Sequence, residues 1–78
     1  MLEYSIGSSM NRDDLYAELS SGEVQWGEIV LSEDRTSVNI IVYPDYEETL
    51  NFNYKDFLTI IETAKRRLLE IEGLDLSL

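Results

Sequence analysis

Asn11–Gly22 reads NRDDLYAELSSG, and its reading decides the order of elements in the fold. Asn is a favoured N-cap, because its side-chain oxygen accepts from a backbone N–H left unpaired in the first helical turn. Asp14, three residues on, would face the positive end of the helix dipole. Met10 and Leu15 would take the two positions of a hydrophobic staple. The pattern predicts a short helix over Arg12–Ser20, with Leu15 and Leu19 on one face and Gly22 as its C-terminal stop.

The same pattern recurs as FNYKDF at Phe52–Phe57, where Asn53 opens a longer helix from Tyr54 to about Glu72, ended by Gly73. At roughly 100° per residue, Phe57, Ile61, Ala64, Leu68 and Ile71 fall on one stripe. Ile60 flanks it on one side, and Leu58 and Leu69 on the other. That arc is wider than the stripe of an ordinary surface helix, so either the short helix or another chain should cover it. Glu62 with Arg66, and Arg66 with Glu70, stand four apart, so Lys65–Arg67 reads as a solvated, ion-paired face and not as a nucleic-acid patch.

Four further runs read as strands. Leu2–Ile6 places Leu2, Tyr4 and Ile6 on one face. Glu23–Ser32 alternates Val24 and Trp26, then Ile29 and Leu31, and the slip of phase at Gly27 predicts a bulge. Ser37–Tyr43 is rich in β-branched residues and follows a tight connection that holds Glu33 and Asp34. Glu48–Asn53 alternates Leu50 and Phe52 with Thr49 and Asn51. The expected fold is therefore a single α+β domain over residues 1–78, in the order β-α-β-β-β-α. It would be a two-layer sandwich whose mostly antiparallel sheet of three to five strands carries one long and one short helix. Tyr43–Glu48, YPDYEE, would form a hairpin tip: proline fixes a turn and the acids stay in water. The tail LDLSL, Leu74–Leu78, alternates like a further strand or a contact segment.

Charge bounds the function. Sixteen Asp and Glu against six Lys and Arg give a net charge of −10 over 78 residues. Such a chain is repelled by nucleic acid and by anionic membrane and drawn to basic surfaces, so no direct nucleic-acid or membrane binding is expected. With neither cysteine nor histidine, Ser–His–Asp and Cys–His catalysis and the usual zinc sites fall away. The four glycines, Gly7, Gly22, Gly27 and Gly73, form no phosphate loop. Asp45, Glu47 and Glu48 are oxygen ligands on a turn, but they lack the glycine of a calcium-binding EF-hand loop. No catalytic residue, metal or cofactor is expected. The N-terminus carries no basic, apolar leader, and a cytoplasmic protein is expected.

Two functions fit. The first is a small acidic, non-enzymatic binding module, of inhibitor or immunity type, that occupies a basic surface of a partner protein such as a nucleic-acid-handling enzyme or toxin. Tyr43, Asp45, Tyr46, Glu47 and Glu48, with Glu33 and Asp34, would form its contact surface. The second is a self-associating structural protein, a homodimer joined through Leu58, Leu69, Leu74, Leu76 and Leu78, with charge serving only solubility.

Overall fold

A computed structural model describes residues 1–8, 14–43 and 49–78. Their elements run β1 (Leu2–Gly7), β2 (Tyr16–Ser21), β3 (Val24–Leu31), β4 (Val38–Val42) and α1 (Tyr54–Glu72). The strands form one antiparallel meander, in the order β1-β2-β3-β4. α1 packs across one face, against β1, β2 and β3.

The order β-β-β-β-α overturns the expected β-α-β-β-β-α, and the correction lies in the stretch Arg12–Ser20. Asn11, Arg12 and Asp13 lie outside the described residues. Tyr16–Ser21, instead of coiling, is a strand hydrogen-bonded on both sides, to β1 and to β3. Leu15 and Leu19 stand four apart, a spacing that both periods satisfy. Ala17 decides between them: it and Leu19 are wholly buried, while Tyr16, Glu18 and Ser20 between them are partly exposed. Two turns of helix carry a high nucleation cost for few bonds, whereas the central strand pairs both of its edges. Gly22, at φ 61°, opens the two-residue turn to β3 instead of closing a helix.

Glu48–Asn53 is the second correction. Glu48 lies outside the described residues, and Thr49–Asn53 is not a strand. Leu50 and Phe52 still turn inward, but onto the core as a cover that carries the chain to the helix side. Helix α1 follows the expectation closely. Asn53 caps it, its side-chain oxygen accepting from the Asp56 N–H at 3.1 Å. Gly73 ends it at φ 70°, donating to the Glu70 carbonyl while the Leu74 N–H bonds to that of Leu69 at 2.9 Å, a Schellman closure. The buried arc departs from the expected stripe at its C-terminal end, where Ile71 is exposed and Leu69 fully buried. The outer-face ion pairs run Lys65 to Glu62 and Arg67 to Glu70, three residues apart instead of four. The tail forms no strand. Its Asp75 carboxylate accepts from the N–H and hydroxyl of Ser77, and the Leu78 N–H bonds to the Asp75 carbonyl at 3.2 Å.

The core is Ala17, Leu19, Trp26, Ile29, Ala64 and Leu68. Each wholly buried leucine or isoleucine contributes about 1.5–3 kcal/mol. The expected bulge is present: the β2–β3 register slips between Leu19 and Ser20, so Leu19 faces Gly27 while Ser20 faces Gln25. Trp26 is the extra residue, and the bulge aims its ring into the core against Phe52 and Phe57, with centroids 4.7 and 5.5 Å away. Gly27 is required where it stands. A Cβ there would lie 2.6 Å from the Ile41 carbonyl oxygen, so any side chain would push β4 off β3.

A polar clamp closes the end of the sandwich away from Trp26. Arg35, at φ 61° in the β3–β4 connection, pairs with the carboxylates of Asp14 and, at 2.9 Å, Glu72. The other oxygen of Glu72 accepts from the Leu15 N–H at 3.0 Å. That backbone bond first, and the Arg35 guanidinium second, hold the Glu72 carboxyl below the usual glutamate range.

Candidate binding surfaces

Alternation along the strands divides the sheet into two faces. Ile6, Ala17, Ile29 and Ile40 form one cross-strand row on the helix side, and Tyr4, Leu19, Gly27 and Val42 form the next. The opposite face carries Glu3, Tyr16, Glu18, Gln25, Glu28 and Ile41, with Tyr43 just beyond β4.

Tyr16, Glu18, Gln25, Glu28 and Tyr43 gather at the middle of this open face. Glu18 stands directly across from Glu28 in the β2–β3 ladder, and Glu28 is only 7% exposed. Like charges placed so are unfavourable, and burial of one adds to the cost. Neighbouring donors offset part of it. The Ser5 hydroxyl reaches Glu18 at 3.4 Å, and the Tyr43 hydroxyl hydrogen-bonds to Glu28. Gln25 in turn donates to the Tyr43 oxygen at 3.3 Å. Burial, and after it the charge of Glu28, raise the Tyr43 hydroxyl above the ordinary tyrosine value, so it stays a proton donor. Tyr16 lies over β1, where a Cβ on Gly7 would come within 3.2 Å of its ring.

Charge is segregated between the layers. None of the four strands contains Lys or Arg, and their charged residues are Glu3, Glu18 and Glu28. Helix α1 carries Lys55, Lys65, Arg66 and Arg67 against Asp56, Glu62, Glu70 and Glu72, a balance of zero. The charged side chains of the strands are therefore all acidic, while those of the helix balance to zero.

The edge of β4 is a surface of another kind. The two apolar rows that are buried on β2 and β3 run on to Ile40 and Val42, which are 47% and 60% exposed. On the far face Ile41 is exposed too. β4 bears no charge, and its outer edge pairs with no strand among the described residues.

Of the expected contact residues that the structure describes, Tyr43 stands apart from Glu33 and Asp34. Tyr43 belongs to the open face. Asp45, Tyr46, Glu47 and Glu48 lie outside the described residues. Glu33 and Asp34 sit at the opposite end of β4 from Tyr43, about 17 Å away by strand rise. Asp34 is occupied in its own turn, accepting from the Ser32 hydroxyl, the Thr36 hydroxyl and the Thr36 N–H, and these bonds lower its carboxyl below the ordinary value. Of the expected oligomer contacts, Leu58 and Leu76 are exposed and Leu74 and Leu78 half-buried. Leu69 is enclosed within the chain and offers no surface. Tyr16, Glu18, Gln25 and Glu28 were not expected at a surface site. The alternation Tyr16–Glu18–Ser20 was the available signal for the first two, masked by the helix reading of that stretch.

Among the described residues no cluster of carboxylates could hold a metal ion, and no helix is long and apolar enough to cross a membrane. No protein-family model, curated protein or solved structure matches the chain.

Proposed function

We propose that the chain is a non-enzymatic binding module that lays its open sheet face on a basic surface of a partner protein, as an inhibitor or immunity-type protein of the cytoplasm does. The observation that carries this reading is the segregation of charge: strands whose charged side chains are all glutamates, Glu3, Glu18 and Glu28, backed by a neutral helix layer. Carboxylates on a sheet lose little conformational freedom when they meet Lys or Arg, because their backbone is already fixed. Tyr16 and Tyr43 add flat, amphipathic contact area of the kind enriched at protein interfaces. The same charge disfavours nucleic acid and anionic membrane as direct ligands. A nucleic-acid-handling enzyme or a toxin has the basic surface this face fits.

The test is capture of partners from a lysate of the source cell, with native chain and with Glu3→Gln/Glu18→Gln as bait. A stoichiometric basic partner that is retained by the native chain, released by salt and lost by the variant is the expected result. A partner held equally by both baits would remove the open face from the reading.

A further inference from the structure

The edge of β4 is self-complementary. The Tyr43 N–H bonds to the Trp26 carbonyl at 2.8 Å, which fixes the alternation along the strand. Asn39 and Ile41 turn their backbone groups toward β3, and Val38, Ile40 and Val42 turn theirs outward. Edge strands are commonly blunted by charge, proline or a bulge. β4 has none of these: Val38–Val42 is VNIIV, and its register with β3 is unbroken.

We propose that two copies of the chain pair antiparallel through their β4 edges, about a two-fold axis at Ile40, into one continuous sheet. Val38 of each copy then faces Val42 of the other, and Ile40 faces Ile40. All three positions have outward backbone groups, so each pair closes both of its hydrogen bonds. Their β-branched side chains lie on the helix side in both copies, as favourable cross-strand pairs. The two apolar rows that end half-exposed at Ile40 and Val42 continue into the second copy. On the other face Asn39 meets Ile41.

The second copy fits this edge better than a basic strand does. A cationic segment laid along Val38–Val42 would set its charges against valine and isoleucine, with no carboxylate on the strand to meet them. The opposite edge is less suited, because β1 carries Glu3 and lies under α1. The contact is small, about 17 Å of strand, below the size of a standard stable interface. Two chains of charge −10 also repel. The dimer is therefore weak, forming only at high protein concentration, and salt tightens it by screening the repulsion. That response is opposite in sign to the one proposed for the acidic face, so the two readings fail separately.

Sedimentation velocity on the whole chain, from about 5 µM to about 1 mM, reads the association. Amide exchange at the two ends of that range reads its geometry. The expected result is a monomer–dimer shift with concentration that grows at high salt. With it the amides of Val38, Ile40 and Val42 gain protection, while those of Asn39 and Ile41, already bonded to β3, do not change. Ile40→Lys should leave a monomer and Leu76→Lys a normal dimer. Should Ile40→Lys not fold, the exchange pattern of the native chain decides alone. A monomer throughout, a dimer whose outward amides stay unprotected, or a dimer dissolved by salt or by Leu76→Lys would each overturn the proposal.

Discussion

The open face and the β4 edge belong to one sheet, yet they are built on opposite principles. The open face concentrates charge that its own strands cannot neutralise, and sets Glu18 against Glu28 at a cost to stability. The edge excludes charge altogether and leaves Ile40 and Val42 half in water. Each is locally unfavourable in the lone chain, in a different currency: Coulomb repulsion between Glu18 and Glu28 on the face, and at the edge unburied apolar area and backbone that pairs with no strand among the described residues. A partner of opposite charge relieves the first and a second β-strand the second. Salt separates them, because screening weakens the one association and strengthens the other.

Breaking the element that both surfaces share should have the largest effect. Gly27 lets β4 lie against β3, since a Cβ there would meet the Ile41 carbonyl oxygen at 2.6 Å. Gly27→Ala must displace backbone and not a flexible side chain. A loss of about 1–3 kcal/mol is expected, read by urea denaturation, with Tm lower by at least about 5 °C. The displaced β4 should cost the open face Tyr43 and the edge its alignment together. Unchanged stability would mean that β4 does not approach β3 this closely.

The clamp at the other end of the sandwich comes next, and it touches neither surface. Glu72 holds the Leu15 N–H and Arg35, and its carboxyl is lowered by both. A carboxyl whose folded value lies below its unfolded one stabilises the fold above the ordinary glutamate range. That contribution fades as pH falls from there through the lowered folded value. Glu72→Gln should therefore cost about 1 kcal/mol at neutral pH, and progressively less as pH falls below the ordinary glutamate range and the native carboxyl takes up its own proton. Denaturation curves from neutral pH down through the acid range decide it. An equal loss throughout would make Glu72 a packing residue and not a charge clamp. Salt-dependent association at either surface should survive the change, which tests whether the surfaces are independent of the clamp.

How far the chain could be read without its structure follows the same division between local and distant causes. Helix α1 was legible because its signals are local: Asn53 caps it, Gly73 ends it and the apolar positions recur at helical spacing. The bulge at Gly27 showed as a slip of phase within one strand. The stretch Leu15–Leu19 was misread because both periods admit leucines four apart. What makes it a strand is the pair of neighbours, β1 and β3, on either side. Glu48–Asn53 misled in the other direction, since Leu50 and Phe52 alternate as strand residues do but pack onto Trp26 and the helix. The open face was hidden for a related reason. Tyr16, Glu18, Glu28 and Tyr43 are spread over 28 positions of sequence, and only the register brings them together. The acidic character was plain in composition; its restriction to one layer was not.

The smallest effect is the most telling for the comparison. Glu18 and Glu28 repel across the ladder, so Glu18→Gln should stabilise the free chain by a few tenths of a kcal/mol, up to about 1. The gain should shrink in high salt, since Glu18 is partly exposed and screened. The same substitution should weaken capture of a basic partner and leave β4 association no weaker, because it lowers the mutual repulsion of two acidic chains. A residue whose removal improves the fold and harms binding is held for binding, and a residue whose removal does neither is only surface. Urea denaturation at low and high salt, beside capture at the same salts, distinguishes the two. Stabilisation without loss of capture would leave the acidic face a device for solubility, and the edge of β4 the surface through which the chain acts.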